Sequence, residues 1–261
     1  MDEFVLSIDK EKFRSTNEKW NALMLNDPWS VGYVSTLIET SVWKSKEEWE
    51  NAYYRSGEER YAFIQANSFR LGYDISFFND TTVPFNKSKY YSLPWEVKNI
   101  NTQRGRTRQD LSEKGRILYE AVKNNRYGLT VDECIECVRF RVICETWNGI
   151  IIREHNTKAN LSKLFPNLFF KETDGEIDHK YAVDIEVYSP DGQLLCGIQV
   201  KPKSYLQSAP YIIRARNANQ LKYAAYKERF GKDVFTVISN SNGMILNQDV
   251  IGKIKDLLIC K

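Results

Sequence analysis

The hydrophobic pattern in the carboxyl-terminal part of the chain is that of a β-hairpin. Residues 181–188 alternate between polar and apolar side chains, residues 189–192 read Ser-Pro-Asp-Gly, and residues 194–201 form a second, mainly apolar run. Alternation with a period of two is typical of strands, and the four residues between the runs are a turn signal. Short apolar runs at residues 168–170 and 234–239 predict two further strands.

Apolar residues at helical spacing predict helices around this hairpin. They occur at residues 109–124, after a capping-box pattern of Thr130 and Glu133, at residues 149–165 and at residues 217–230. The last of these helices should turn three apolar residues towards the sheet: Ala218, Leu221 and Ala225. This order of helices and strands predicts a mixed α/β core. A Rossmann domain is excluded because no glycine-rich phosphate turn follows the first strand.

The first part of the chain, up to about residue 95, is rich in Trp and Tyr and is predicted to be mostly helical. Ser45 and Glu48 have the spacing of a capping box, and Trp49 and Tyr53 follow at helical spacing. This region contains no pattern that indicates a particular chemical reaction.

A looser segment between residues 80 and 105 contains Pro84 and Pro94 and predicts a boundary or an arm between subdomains. We therefore expect a mostly helical region at residues 1–100 and a mixed α/β core at residues 101–261. We expect the first region to serve either recognition or dimerisation. Neither region contains an internal repeat or a low-complexity tract.

Composition narrows the class of protein. The chain has 261 residues, of which 42% are hydrophobic, so it is long enough to bury a substantial core. It has no apolar stretch of the roughly 18 residues that a membrane span needs, and its acidic amino terminus lacks a signal pattern. Five scattered cysteines do not suggest a disulfide framework, and Cys134 and Cys137 are interpreted as core thiols rather than zinc ligands. We expect a cytoplasmic protein with no membrane partner.

Positive charge is concentrated in two segments, although the formal net charge is only +3. Residues 98–116 have a surplus of four basic residues and residues 201–232 a surplus of seven, so the rest of the chain is acidic. Two basic segments suggest a surface for a polyanion such as DNA, although solvated basic faces explain them equally well. In the first segment we expect a flexible basic arm at residues 101–116, which would grip phosphates through three arginines: Arg104, Arg106 and Arg108.

Alternation in the hairpin places a polar group on one face of the predicted sheet. Asp184 and Glu186 fall on this face of the first strand. Gln199 and Lys201 fall on the same face of the second strand if the strands pair across the turn. The apolar residues of the first strand should fall on the opposite face: Val183, Ile185 and Val187.

A carboxylate, a carboxamide and an ammonium group that converge on a sheet are the groups that metal-dependent phosphodiester hydrolysis needs. Asp184 is the predicted ligand of Mg²⁺, with Gln199 as a second oxygen ligand and Glu186 as a further carboxylate. Lys201 is expected to orient the attacking water and to offset charge on the phosphate. The same residue spacing also occurs by chance in proteins that have no such site.

A further catalytic carboxylate is expected from the helix at residues 149–165. Glu154 interrupts an apolar face of this helix, and a charge directed at a core needs a partner or a metal ion. Glu145 takes this role instead if the preceding helix continues without a break.

The residues from Asp184 to Lys201 resemble the catalytic pattern of the PD-(D/E)xK nuclease superfamily, here D-x14-QxK. Three pieces are also similar to the MjaI-type type II restriction endonucleases: NTQRGRT at 101–107, TWNG at 146–149 leading to Glu154, and GIQVKP at 197–202 ending at Ser204-Tyr205. The resemblance implies a restriction-endonuclease-like mixed sheet flanked by helices, Mg²⁺ as the cofactor and double-stranded DNA as the substrate. Val183 stands where the superfamily has proline, and Gln199 stands where it usually has an acid.

The resulting hypothesis is a type II restriction endonuclease that acts as a homodimer on a palindromic site. The phosphates that flank the cut are expected to contact residues after the catalytic strand: Lys203, Ser204, Tyr205, Arg214 and Arg216. Two alternatives remain open. One is a DNA-binding protein on the same scaffold that does not cut, which the missing acid at Gln199 would explain. The other is a repair nuclease of the same superfamily.

Overall fold

The computed structural model describes residues 1–26, 34–38, 41–80, 83, 86–173, 175–208 and 210–259. The chain divides into two compact units. One unit, which we call the helical unit, comprises Glu3–Ile38 and Trp43–Trp147. The other, which we call the sheet unit, consists mainly of Asn148–Lys261. The division follows residue 147, whereas the sequence pattern suggested a boundary near residue 100.

Helices provide the regular structure in the described part of the helical unit. They are α1 (Lys10–Ser15), α2 (Asn17–Ala22), α3 (Val34–Ile38), α4 (Lys46–Leu71), α5 (Ile75–Asn79), α6 (Lys87–Ser92), α7 (Trp95–Asn101), α8 (Arg108–Val122), α9 (Val131–Arg139) and α10 (Glu145–Trp147). The prediction of a mostly helical amino-terminal region is confirmed.

Helix α4, with 26 residues, begins and ends where its sequence supplies caps. The hydroxyl of Ser45 accepts a hydrogen bond from the backbone N–H of Glu48 at 3.2 Å, which satisfies a donor that the first turn leaves unpaired. At the other end, Gly72 has a φ of 73°, a left-handed conformation that glycine adopts without steric cost. Trp49 and Tyr53 are buried, as their helical spacing predicted.

In its described residues, the segment between residues 80 and 105 is mostly helical rather than loose, which corrects the expectation from the sequence. It contains α6 and α7, and Val97 and Ile100 of α7 are buried in an apolar cluster with residues of α4 and α5. The proline pattern did not reveal this packing, because it depends on helices that lie far away in sequence. Pro94 directly precedes the first turn of α7, where its fixed φ suits a helix start. Pro84 lies outside the described residues.

Capping boxes open helices α8 and α9. Thr107 and Asp110 form the box of α8, and Thr130 and Glu133 form that of α9. In each, the threonine hydroxyl accepts from the backbone N–H of the acid, and the carboxylate accepts from the backbone N–H of the threonine. The helices predicted at residues 109–124 and after Thr130 are confirmed.

Cys134 and Cys137 are fully buried on α9. Burial raises the pKa of Cys134 to about 12, and it also raises the pKa of Cys137. Both thiols therefore stay protonated at neutral pH and pack as small apolar groups in the core. The interpretation of this pair as core thiols is confirmed.

A mixed sheet forms the centre of the sheet unit. Its strands in the described residues are β1 (Phe169–Glu172), β2 (Ile185–Tyr188), β3 (Leu194–Pro202) and β4 (Val234–Ser239). They lie in the order β1-β2-β3-β4, with antiparallel pairing from β1 to β3 and parallel pairing of β3 with β4. Gly192, with a φ of 80°, closes the turn between β2 and β3 by donating its N–H to the carbonyl of Ser189 at 2.9 Å. The predicted hairpin is confirmed.

Helices cover both faces of this sheet: α11 (Arg153–Leu164), α12 (Gly175–Tyr181), α13 (Pro210–Phe230) and α14 (Asp249–Ile259). Leu161 of α11 and Ile254 of α14 pack with apolar residues of all four strands on one face. Tyr181 of α12 and Tyr226 of α13 pack with Val183 on the other face. The predicted mixed sheet core flanked by helices is confirmed. No helix in the described parts of the chain is long and apolar enough to cross a membrane.

The strand predicted at residues 181–188 begins only at Ile185. Helix α12, which the sequence pattern did not predict, ends at Tyr181, and Val183 packs against Tyr226 of α13 rather than with Ile185. The strict alternation therefore fails at the start of β2. Gly197 of β3 permits this packing, because a Cβ there would lie 3.0 Å from Val183 and 3.3 Å from Tyr226.

The inward face of α13 also differs from the prediction. Tyr223 and Tyr226 are buried, whereas Leu221 is 75% exposed and Ala218 and Ala225 are exposed. The prediction of an apolar inward face is therefore wrong. The sheet surface under α13 carries polar side chains, and buried polar groups need hydrogen-bond partners that leucine and alanine cannot supply.

Candidate active site

One end of the sheet brings Asp184 next to Gln199. The register pairs Ile185 of β2 with Ile198 of β3, so the residue before Ile185 lies beside the residue after Ile198. The backbone N–H of Asp184 donates a hydrogen bond to the carbonyl of Ile198 at 2.9 Å. The hairpin thus brings together the carboxylate and the carboxamide that the alternation had placed on neighbouring strands.

The carboxylate of Asp184, just before β2, accepts a hydrogen bond from the backbone of β3. Its Oδ2 accepts a hydrogen bond from the backbone N–H of Val200 at 2.6 Å, and the residue is only 7% exposed. Its other oxygen, Oδ1, accepts no hydrogen bond from a residue that the structure describes. One carboxylate oxygen is therefore fixed by the protein, and we call the other, which accepts from no described residue, the open oxygen.

The carboxamide of Gln199 is held by helix α13. The side chain is 2% exposed, and its Oε1 accepts hydrogen bonds from Nδ2 of Asn219 at 2.9 Å and from the hydroxyl of Tyr223. An amide oxygen has two lone pairs, so both are engaged within the protein. The predicted role of Gln199 as an oxygen ligand of a metal gains no support from this arrangement.

Further hydrogen bonds connect the two donors of this carboxamide to neighbouring side chains. Nδ2 of Asn219 also donates to the hydroxyl of Tyr205 at 3.0 Å, and the hydroxyl of Tyr223 lies 3.0 Å from Oγ1 of Thr236. Burial raises the pKa of Tyr223, and the nearby charge of Asp184 also raises it, so the hydroxyl remains a donor at neutral pH. We call this set the amide network: Gln199, Tyr205, Asn219, Tyr223 and Thr236.

Glu186 is held by tyrosine hydroxyls. Tyr226 donates to its Oε1 at 3.0 Å, and Tyr188 donates to its Oε2 at 2.6 Å. The hydrogen bond to Glu186 raises the pKa of Tyr188 to about 12, with burial as a second cause. Both oxygens of Glu186 are thus engaged with other residues, and this geometry does not favour its predicted role as a metal ligand.

Lys201 lies near the carboxyl end of β3, where it pairs with Ile238 of β4. It is half-buried and follows Gln199 by two residues, so the alternation of β3 directs both side chains to the same face. The ammonium group therefore belongs to the same end and face of the sheet as the carboxamide. This is the position that the sequence predicted for it.

Glu154 lies in the first turn of α11, which packs on the opposite face of the sheet. One turn later, Oγ1 of Thr157 lies 2.8 Å from Oγ of Ser239, and Ser239 pairs with Pro202 next to Lys201. Glu154 therefore lies in a turn of α11 near the end of the sheet that holds Lys201, on the helix that covers the other face. A π-helical turn, Asn148–Ile152, precedes α11.

Glu145, the alternative to Glu154, belongs to the helical unit. It begins α10 and lines a pocket of about 770 Å³ together with Arg141 and Trp20. Burial raises the pKa of Glu145, and the neighbouring charge of Arg141 opposes this shift. No residue of the candidate site lines this pocket.

The three arginines of the expected flexible arm lie in the turn between α7 and α8 and at the start of α8, and each has a contact within the protein, which corrects that expectation. Arg106 is 1% exposed, and its guanidinium lies 3.4 Å from the hydroxyl of Ser56. Arg104 is half-buried and reaches a backbone carbonyl at 3.5 Å, while Arg108 is exposed at the start of α8 and stacks over Tyr54 at 4.1 Å. Arg106 cannot grip a phosphate from this buried position, since the capped start of α8 fixes the chain beside it.

The other predicted DNA contacts lie after β3, in the segment that leads to α13 and in the first turns of α13. Lys203, Ser204 and Arg214 are exposed, whereas Tyr205 and Arg216 are half-buried. The guanidinium of Arg216 lies 3.4 Å from the carbonyl of Tyr205, which links α13 to the short 3₁₀ helix Lys203–Leu206. These residues remain predicted contacts, and most of them are accessible to a polyanion.

The donor set at this end of the sheet fits a magnesium ion that keeps most of its water. Among the described residues, no group of three His, Cys, Asp or Glu side chains is arranged to hold a metal. Mg²⁺ is usually bound by one or two carboxylates together with substrate phosphates and water. Asp184, with one open carboxylate oxygen in a nearly buried position, meets this requirement.

Two residues of this site, Asn219 and Tyr223, were not predicted from the sequence. They lie four residues apart on α13, so they share one helix face and reach the same carboxamide. Their spacing is visible in the sequence, but the neighbouring alanines and Leu221 gave a competing apolar pattern. The signal would have been the polar partners that Gln199 needs once it is buried.

Comparison with models of protein families gives a match over most of the chain. The family model described as MjaI restriction endonuclease matches residues 16–256, which is most of the chain. It covers both the helical region and the hairpin with Asp184 and Gln199. Searches among curated proteins and among solved structures found no match.

Proposed function

Since the chain belongs to the MjaI restriction endonuclease family and is therefore a type II site-specific deoxyribonuclease, we propose that it cuts double-stranded DNA at a specific sequence in a Mg²⁺-dependent reaction. Type II restriction endonucleases as a class use a divalent metal ion. The observation that carries the proposal is the anchored carboxylate of Asp184, which lies beside Gln199 at the end of the sheet that also holds Lys201.

In the proposed reaction, Asp184 would hold the metal ion, and the carboxamide of Gln199 would lie beside it. When bound, Mg²⁺ supplies positive charge to the scissile phosphate and to the attacking water. The hydrogen bond from Val200 to the Asp184 carboxylate orients the open oxygen before substrate arrives. Preorganisation of this kind removes a cost that a mobile carboxylate would have at the moment of reaction.

Lys201 is the proposed cationic group of the reaction. Its ammonium donates hydrogen bonds to a phosphate oxygen or to the attacking water, which orients the water and stabilises the added negative charge. The water oxygen forms a bond to phosphorus, and the bond from phosphorus to the leaving sugar oxygen breaks. The water loses a proton, and the sugar oxygen gains one. Glu154 is proposed as a second carboxylate at this end of the sheet, while Glu186 has no role in the reaction.

Phosphates on either side of the cut are proposed to contact the basic surface of the sheet unit. The residues of this surface begin directly after β3, so the next phosphate along the DNA strand would lie close to Asp184. The proposed contacts are Lys203, Ser204, Tyr205, Arg214 and Arg216. Arg104 and Arg108 of the helical unit remain proposed contacts, and Arg106 does not because it is buried.

A homodimer is the proposed active form. The two strands of a palindromic DNA site are related by a two-fold axis, so two copies of one active site cut both strands with the same chemistry. Analytical ultracentrifugation with and without DNA measures this directly. A protein that cuts both strands as a monomer would contradict the proposed assembly but not the cleavage itself.

Digestion of plasmid DNA in the presence of Mg²⁺ tests the proposed function. We expect discrete bands that stay the same after prolonged incubation, and no cleavage when the metal is chelated. Retarded but intact DNA would support the binding protein that does not cut. Nicks or degradation from the ends without discrete bands would support a repair nuclease, and either result would overturn the proposal.

A further inference from the structure

We propose that Tyr223 and Asn219 of α13 are positioning residues for DNA cleavage, which fix the carboxamide of Gln199 beside Asp184. The inference rests on the proposed function of the hairpin and extends it to a helix that lies outside the D-x14-QxK pattern. Neither residue needs to touch the scissile phosphate, since each acts through Gln199.

Two donors from one helix define both the position and the rotation of an amide. Nδ2 of Asn219 and the hydroxyl of Tyr223 converge on Oε1 of Gln199 from positions one turn apart. One hydrogen bond would leave the carboxamide free to swing about it, whereas two restrict the swing. A glutamine side chain that is not held in this way must lose rotamer freedom when the substrate orders it.

The network leaves one end of the Gln199 carboxamide for the substrate. Because Oε1 is engaged by α13, the Nε2 group is the end that no hydrogen bond to the described residues occupies. An N–H donor suits a phosphate oxygen or a water molecule, and it does not suit a cation. We therefore assign to Gln199 the role of a donor beside the metal ligand Asp184.

The hydroxyl of Tyr223 is suited to this task because the side chain is buried and its hydroxyl lies between Gln199 and Thr236. Thr236 of β4 lies 3.0 Å from the same hydroxyl and limits its rotation. The position of Gln199 is thus fixed by contacts with both α13 and the neighbouring strand.

Tyr226 provides a matched control within the same helix. It lies three residues after Tyr223, is fully buried, and donates its hydroxyl to Glu186 rather than to Gln199. Replacement of either tyrosine by phenylalanine removes one buried hydroxyl and one hydrogen bond. The two substitutions therefore have similar structural effects but reach different residues of the sheet.

The experiment compares Tyr223→Phe, Asn219→Leu and Tyr226→Phe in the full chain. Cleavage rate at saturating DNA, DNA affinity without metal and thermal unfolding are measured for each. We expect the first two variants to lose about 10- to 100-fold in cleavage rate with DNA affinity within about twofold of the parent, as is typical when support for a reacting group is lost. Tyr226→Phe should cleave like the parent per folded molecule.

A second readout does not depend on activity or on metal. The side-chain amide of Gln199 gives a pair of NMR signals, which the Gln199→Leu variant identifies by their absence. We expect Tyr223→Phe to shift or broaden this pair, and Tyr226→Phe to leave it in place. This readout separates positioning of the carboxamide from a general loss of stability.

Three results would overturn the inference. Equal losses in Tyr223→Phe and Tyr226→Phe, in proportion to unfolding, would give both tyrosines a purely structural role. A loss confined to Tyr226→Phe would make Glu186 the group that matters. If the parent cleaves DNA and the Tyr223→Phe variant cleaves equally well, the positioning role alone is refuted. If the parent never cleaves DNA, the proposed function and the inference are refuted together.

Discussion

The two faces of the sheet are formed by the same strands and differ in what holds them to their helices. Towards α11 and α14, the sheet presents apolar residues such as Ile198 and Val200, which are buried in one large cluster. Towards α13, it presents Glu186, Gln199 and Thr236, which are hydrogen-bonded to tyrosine and asparagine side chains. Apolar contact has no preferred direction, whereas a hydrogen bond fixes both distance and angle.

This difference explains why the candidate site lies where the polar face ends. A reaction centre needs groups held to within a fraction of an ångström, and directional contacts supply that constraint. The apolar face supplies the stability on which those contacts depend. Substitutions on the two faces should therefore have different consequences, even when they affect neighbouring residues of one strand.

Removal of the Asp184 carboxylate should have the largest effect. We expect Asp184→Ala to lower the cleavage rate by at least about 1000-fold, because the variant loses its principal metal ligand. DNA affinity measured without metal should stay close to that of the parent, since the phosphate contacts lie on other residues. Single-turnover cleavage and a gel-shift titration measure the two quantities.

Near-normal cleavage by Asp184→Ala would move the metal site away from this end of the sheet. Asp178 of α12 would then be the next carboxylate to test. Asp191, which lies in the turn between β2 and β3, is a suitable control, because Asp191→Ala changes a carboxylate of the same hairpin away from the site. We expect this variant to cleave like the parent.

Truncation on the apolar face should reduce stability instead. We expect Ile198→Ala to lower the free energy of unfolding by about 2–5 kcal/mol, because Ile198 is fully buried and its loss leaves a cavity in the core. The folded fraction should still cleave DNA at low temperature. Urea unfolding measures the first effect, and cleavage normalised to folded protein measures the second.

Loss of cleavage in Ile198→Ala, at a temperature where the variant is folded, would contradict the different roles of the two faces. Such a result would mean that the apolar face positions the site directly. It would also mean that the division of roles between neighbouring residues of β3 is not real.

Local sequence signals were sufficient to predict the hairpin and its polar residues. The alternation and the Ser-Pro-Asp-Gly turn act between residues that are close in sequence, so the pairing of Asp184 with Gln199 could be read from the chain. The capping box at Thr130 is local in the same sense. These features needed no knowledge of distant partners.

Features that depend on distant contacts were predicted less well. The buried position of Arg106 depends on α4, whose Gly57 lies so close that a Cβ would come within 2.7 Å of the Arg106 backbone. The inward face of α13 depends on the polar groups of β2, β3 and β4, which the helix sequence does not contain. Leu221 is exposed for this reason, although its pattern resembled a core position.

Changes at Gln199 should have an intermediate effect and sharpen the contrast with Ile198. We expect Gln199→Leu to lower the cleavage rate by about 10- to 100-fold, because leucine has no group to present to the substrate and leaves two donors of α13 without an acceptor. Gln199→Glu should remain active through a different arrangement, since one carboxylate oxygen can accept from both donors while the other replaces the lost N–H donor with a direct contact to the metal. The measurement is the cleavage rate as a function of Mg²⁺ concentration.

For Gln199→Glu, we expect half-maximal cleavage at a lower Mg²⁺ concentration than for the parent, because the variant adds a negative charge beside Asp184. A Gln199→Leu variant that cleaves as fast as the parent would show that Gln199 is only a residue of the polar face. In that case the site would contain Asp184 and Lys201 without the carboxamide.

The smallest expected effect concerns the basic surface next to the polar face. Arg214 and Arg229 are both exposed on α13, but Arg214 lies near its start, close to the segment after β3, and Arg229 lies near its end. Each phosphate contact that is lost should reduce the slope of log affinity against log salt by about one unit. We expect this reduction for Arg214→Ala and an unchanged slope for Arg229→Ala, measured by DNA binding without metal over a range of salt concentrations. Equal slopes in both variants and the parent would show that the start of α13 is not part of the DNA interface. Equal reductions of the slope in both variants would show that the whole exposed face of the helix contacts DNA. The phosphate contacts would then extend beyond the end of the sheet that holds Asp184.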